Sequence, residues 1–118
     1  MKPKIKALWV KALRSGDYQQ TRGRLREGSS FCCLGVLCNL HAMAHPAVAA
    51  DQISRTEYMG HEGTLPPDVV TWAGLPSDLG APVTIGCVTR RLSDHNDGIE
   101  GARQRSFKEI ADAIEKQL

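Results

Sequence analysis

Apolar residues fall at Ile5, Leu8, Trp9, Ala12 and Leu13, the i, i+3, i+4, i+7, i+8 spacing of one helical face, while Lys4, Lys6, Lys11 and Arg14 occupy the other. The pattern predicts an amphipathic helix over 4–15, stopped by Gly16. A second stripe, Phe107, Ile110, Ala111, Ile114 and Leu118, includes the capping-box spacing Ser106-Phe107-Lys108-Glu109 and predicts a C-terminal helix. Between them, Phe31, Cys32, Cys33, Leu34, Val36, Leu37, Cys38 and Leu40 are apolar nearly all round. Capped by Ser30 and ended by Pro46, this run reads as a buried central helix over 31–44, although residues 31–38 alone also fit a buried strand. Gly35 in mid-helix costs ~1 kcal/mol relative to Ala, which implies that another element approaches closely there.

The remaining chain is patterned more weakly. Residues 17–28 read as extended, and Tyr18, Gln20, Arg22, Arg24 and Arg26 share one parity, so an unbroken strand would display them on one face, with Gly23 a bulge or break. Further strands are expected near 53–58 and 83–88. Pro66-Pro67-Asp68 opens a short helix that Gly74 closes, and Asp94-His95-Asn96-Asp97-Gly98 reads as a turn in a loop-rich stretch. The expected fold is α+β, a single domain over 1–118. A buried central helix is flanked by the two amphipathic helices and a small antiparallel sheet using 17–26, 53–58 and 83–88. The expected core is Leu8, Trp9, Leu13, Phe31, Leu34, Leu37, Cys38, Val70, Trp72, Phe107, Ile110 and Ile114.

Composition adds little to the fold: 118 residues, 42% hydrophobic and 24% charged, suit one globular domain. No run of about 18 apolar residues is present, and the basic start lacks an uninterrupted apolar segment, so neither a membrane span nor a signal peptide is expected. Charge is more telling. Residues 1–26 hold eight Lys/Arg against Asp17 alone, +7, while the rest holds seven against twelve acids, −5. An acidic partner would then contact 1–26, with Arg22, Arg24 and Arg26 carrying the affinity. The competing placement uses Asp94, Asp97 and Glu100.

Candidate chemistry is sparse. Cys38, His41 and His45 share a helical face and are weak candidates for zinc ligands, with Cys87 or His61 as a fourth, but paired C-x-x-C spacing is absent and core packing is the stronger reading. Cys32 and Cys33 at a helix start are the candidate nucleophiles of a cysteine-dependent enzyme. Neighbouring cysteines make poor disulfides, so a reducing compartment is expected. Asp94–Gly98 fails the calcium-loop spacing, and no phosphate-binding glycine motif occurs. No cofactor is therefore expected. The binding candidates are Tyr18, Gln20, Arg22, Arg24 and Arg26, whose guanidinium forks and aromatic ring suit an anionic or nucleotide ligand.

Three stretches carry a resemblance. They are Trp9–Gln20 running on to Gly23-Arg-Leu-Arg and Phe31-Cys-Cys-Leu-Gly-Val-Leu-Cys; Thr64-Leu-Pro-Pro-Asp-Val-Val-Thr-Trp-Ala-Gly-Leu; and Leu92 with Asn96-Asp-Gly and Ser106-Phe-Lys-Glu-Ile-Ala-Asp-Ala-Ile-Glu. Together they resemble a family of small bacteriophage and prophage proteins, in which the Asn-Asp-Gly turn runs almost directly into Ser-Phe; here 99–105 intervene. The resemblance implies a phage setting and a host-cytoplasm location, and supplies no catalytic residues. The leading expectation is a non-enzymatic inhibitor of a bacterial defence component such as a CRISPR effector. Capture of nucleotide signals or nucleic acid by the arginines, and a zinc- or cysteine-dependent enzyme, are the alternatives.

Overall fold

The two terminal stripes meet each other. In the computed structural model, which describes every residue except Ala50, Glu100 and Gly101, α1 (Pro3–Arg14) packs along α6 (Phe107–Gln117). Ile5, Trp9, Val10 and Leu13 are buried against Phe107, Ile110, Ala111, Ala113 and Ile114. Leu8 departs from the expected core: it is 42% exposed, because the buried stripe runs through Val10 instead. The expected capping box forms in full, Ser106 Oγ accepting from the Glu109 amide and Glu109 reaching back to Ser106 N–H. Arg14 bridges Asp112 and Glu115 at 2.7 and 3.0 Å across the pair.

Helix α2 (Cys33–Ala44) lies at the centre, with Cys33 through Cys38 buried without interruption. Trp9 Nε1–H ties α1 to it by donating to the Cys33 carbonyl at 2.9 Å. The helix starts two residues later than the sequence implied, with Cys32 and not Ser30 as its cap; the Cys32 sulfur accepts from Gly35 N–H at 3.3 Å. Ser30 and Phe31 are instead β3 (Ser30–Phe31), paired in parallel with β1 (Gln19–Gln20) and antiparallel with β2 (Arg26–Glu27). Their backbone groups are committed to two neighbours, so the helix cannot begin until that pairing ends.

The expected single sheet is in fact two. The chain between β1 and β2 bends at Gly23, whose φ of 81° is left-handed, and buries Leu25. Ile53 and Tyr58 meet only in an isolated bridge. The region near 83–88 is a hairpin, β4 (Pro82–Ile85) antiparallel to β5 (Val88–Arg91), turning at Gly86-Cys87. After α3 (Pro46–Ala49), α4 (Pro67–Ala73) forms where Pro66-Pro67-Asp68 predicts it, and Gly74 closes it at φ 71°.

The Asp94–Gly98 turn is also a correction: it is the end of a helix, α5 (Leu92–Asp97), closed by Gly98. Leu92, His95 and Asn96 occupy i, i+3 and i+4 and are all buried. His95 Nε2–H donates to Val83 O at 2.8 Å. Asn96 Oδ1 accepts from Cys33 N–H at 3.0 Å and Gln20 Nε2 at 2.9 Å, and its Nδ2 donates to Thr21 O at 2.9 Å and Asp97 Oδ1 at 3.0 Å. One buried amide thus fixes the start of α2, the β1 segment and α5 to one another. Phe31, Val70 and Trp72, expected in the core, are half-buried at its edge, while Leu25, Tyr58, Leu65, Val69, Val83 and Leu92 complete it. Among the described residues, no helix is long and apolar enough to cross a membrane.

Candidate functional site

Phe31 lies between two partners of the small sheet: register places it opposite Arg26 on β2 and beside Gln20 on β1. Cross-strand neighbours share a face. The Arg26 guanidinium carbon accordingly stands 5.1 Å from the Phe31 ring centroid, a cation–π contact. Tyr18 meets the same ring edge-on, centroids 5.2 Å apart at 85°, and its hydroxyl accepts from Asn39 Nδ2 at 2.7 Å. Phe31, Tyr18, Arg26 and Asn39 are all half-buried. Ile53 shares a crevice with Arg26, Phe31 and Asn39, and Asn39 touches Met43 one turn along α2. Met43 and Ile53 are 68% and 42% exposed. Arg26 Nη2 donates to Gly28 O at 3.2 Å, while its Nε is enclosed without a hydrogen-bond partner among the described residues. The result is a platform of two aromatic rings, one arginine and flanking apolar side chains.

Two of the five expected binding residues, Tyr18 and Arg26, therefore meet around Phe31. The other three do not join them. Gln20 turns inward, donating to Asn96 Oδ1 and to Arg105 O at 2.8 Å. Arg24 is held between Glu27 at 2.9 Å and Glu62 at 2.8 Å. Arg22 is exposed beside the Gly23 bend. The arginine alternation fails because Leu25 is anchored inward, its N–H donating to Glu62 O and its carbonyl accepting from Cys32 N–H. Local pattern does not single out Phe31 or Asn39: Phe31 reads as part of the core helix, and the one signal for Asn39 is an amide in an otherwise apolar run.

Charge around the platform is balanced. Glu27 faces both Arg24 and, at 3.9 Å, Arg55, and Glu62 takes the other side of Arg24. The excess positive charge of residues 1–26 resides on α1 instead. There Lys2, Lys4, Lys6 and Lys11 have no carboxylate within ion-pair distance among the described residues. Of the competing acidic trio, Asp94 pairs with Arg91 at 3.1 Å, Asp97 accepts from Gly23 N–H at 3.0 Å, and Glu100 lies outside the described residues.

The thiols sit in apolar surroundings. Burial pushes Cys32 up to about 11 and Cys33 and Cys38 well above the ordinary thiol range, outweighing the backbone N–H groups at the start of α2 that favour a thiolate at Cys32 and Cys33. Cys32 and Cys33 are thus neutral thiols at pH 7, the opposite of an activated nucleophile. Cys87 is exposed on the hairpin turn. Cys38 faces the core, away from solvent, and the His41 and His45 rings stack on each other at 4.3 Å, so their nitrogens do not converge with its sulfur. His61 is engaged locally with Thr64 at 3.3 Å. Among the described residues, no group of three or more His, Cys, Asp or Glu is placed to hold a metal ion.

No curated protein and no solved structure matches the chain. One family does, over the whole length: residues 1–118 match a domain of unknown function, DUF8296, and the chain belongs to that family.

Proposed function

We propose that this chain is a phage-encoded, non-enzymatic binding protein that acts in the host cytoplasm. It inhibits a bacterial defence component, a CRISPR effector being the model case, by docking the Tyr18–Phe31–Arg26 platform onto it. The observation that supports this reading is the platform itself. Tyrosine, phenylalanine, arginine and methionine are the residues enriched in the energetic centres of protein interfaces, and here they are gathered, half-exposed and bordered by Met43 and Ile53. The lysines of α1 add a long-range field that speeds encounter with an acidic partner and leaves most of the affinity to the platform.

The test is plaque formation on defended and undefended hosts. Expression of the native protein raises plating on a defended host, and the double substitution Arg26→Ala with Phe31→Ala abolishes the gain while the soluble yield is kept. Arg22→Ala with Arg24→Ala retains it. Equal plating with and without the native protein, across several defence systems, overturns the proposal.

A second reading rests on the Arg26–Phe31 stack, since an aromatic ring with a guanidinium also accommodates a nucleobase. The paired Arg24, Glu27, Glu62 and Arg55 leave little net charge nearby for phosphates, which favours the protein partner. Titration with short DNA, short RNA and cyclic nucleotides at low salt separates the two: saturable binding that weakens steeply with salt supports the nucleotide reading.

A further inference from the structure

A second site lies on the other side of α2. At 100° per residue, His41 and His45 point about 200° away from Asn39 and Met43, so this surface is distinct from the platform. An open cleft of about 340 Å³ runs between the end of α2 and α4, lined by His41, His45, Asp68, Thr71 and Trp72. Asp68, Thr71 and Trp72 occupy i, i+3 and i+4 on α4, one face of that helix. His41 and His45 stack at 4.3 Å, and Trp72 stands nearly perpendicular to both, at 5.1 and 5.9 Å.

The hydrogen bonds behind the cleft fix its chemistry. His45 Nδ1 is 2.9 Å from the His41 carbonyl, which only accepts, so Nδ1 is the donor and, in the neutral imidazole, Nε2 holds the lone pair. His41 Nδ1 is 2.7 Å from the buried Tyr58 hydroxyl, which has no other partner among the described residues, so the two share one hydrogen bond. Burial and the adjacent His45 push His41 down, against the opposing pull of Asp68. The Asp68 carboxylate has no ion pair, and the Thr71 hydroxyl no hydrogen bond, among the described residues. The cleft thus presents one negative charge, two further acceptors (His45 Nε2 and Thr71 Oγ1) and an aromatic wall.

The geometry points to a receptor for a guanidinium group, the side chain of an arginine on a partner protein. A guanidinium is planar, donates five hydrogen bonds, accepts none and stacks on aromatic rings, which suits the Asp68 carboxylate, the two acceptors and the aromatic wall. An anion would meet the Asp68 carboxylate, and a metal ion would need lone pairs that converge, which stacked imidazoles do not supply. The inference stands apart from the platform and does not depend on the defence reading.

Two indole N–H signals, Trp9 and Trp72, make the test direct by ¹H–¹⁵N NMR. Trp9 is buried in the core and serves as a control for the fold. Titration with N-acetyl-arginine methylamide shifts the Trp72 indole saturably, at about millimolar affinity, and leaves Trp9 in place. The citrulline analogue, identical in shape but uncharged, binds about fivefold more weakly or less, and Asp68→Asn weakens the arginine probe by a similar factor. No saturable shift, equal binding of citrulline, or an unaffected Asp68→Asn protein each overturns the assignment.

Discussion

Replacing Gly35 by alanine tests the central packing of the fold. A methyl group usually helps a helix, and by propensity alone the change is worth ~1 kcal/mol in favour of alanine. Here the Cβ would overlap the carbonyl oxygen and carbon of Leu25, which are backbone atoms with no rotamer to yield. Leu25 is fully buried, and its peptide groups donate to Glu62 O at 2.6 Å and accept from Cys32 N–H at 3.1 Å. Moving the 23–27 segment outward weakens both bonds, ~1 kcal/mol each, and adds ~1–3 kcal/mol of overpacking. After the propensity gain, the expected net loss is ~3 kcal/mol, a lowering of the melting temperature by about 10 °C for a domain of this size. Thermal unfolding followed by circular dichroism reads it. Gly16→Ala is the control. Its φ of 79° is left-handed but a Cβ there meets nothing within 4 Å, so the loss is only ~1 kcal/mol from backbone conformation. A Gly35→Ala protein within about 2 °C of the native melting temperature, or above it, refutes the close approach as the reason for this glycine.

Asn96→Ala removes four hydrogen bonds and leaves the Cys33 N–H buried without its acceptor, so urea unfolding loses ~3 kcal/mol or more. With a chromogenic disulfide at neutral pH, Cys87 reacts in the folded protein while Cys32, Cys33 and Cys38 react only after denaturation, because burial both hides them and keeps them protonated. Glu109 is held down at about 2, first by Arg103 and then by the Ser106 N–H and Arg105. A carboxylate lowered in the folded state stabilises above its unfolded pKa, and that stability is lost as pH falls from ~4.5 towards 2. Glu109→Gln therefore lowers stability at neutral pH and converges on the native protein near pH 2, which flattens the acid limb of the profile; native stability at neutral pH with an unaltered acid limb refutes the assignment.

The sequence by itself determined the elements whose signals are local. The α1 and α6 stripes, the Ser106–Glu109 capping box, the Pro67–Gly74 helix and the buried centre of α2 all follow from periodicity, caps and breakers within a few residues. Gly35 announced a close neighbour but not which one, since Leu25 is ten residues away and reaches it only through the bend at Gly23. Tertiary structure decided the rest. His95 and Asn96 look like turn residues, yet they are buried because their polar atoms find backbone partners on β4, α2 and the β1 segment, contacts 12 to 75 residues distant. The candidate site was half legible for the same reason. Tyr18 and Arg26 stood out by type, but their meeting depends on Phe31 lying in a strand between them, and Asn39 arrives from a separate helix. Parity along 17–26 implied five residues on one face, whereas the chain turns at Gly23 to bury Leu25, Gln20 points inward to Asn96 and Arg24 meets two glutamates. Local pattern fixes which way a helix faces; two-residue strands carry too little pattern to fix theirs, and the burial of Leu25 and Asn96 does it for them.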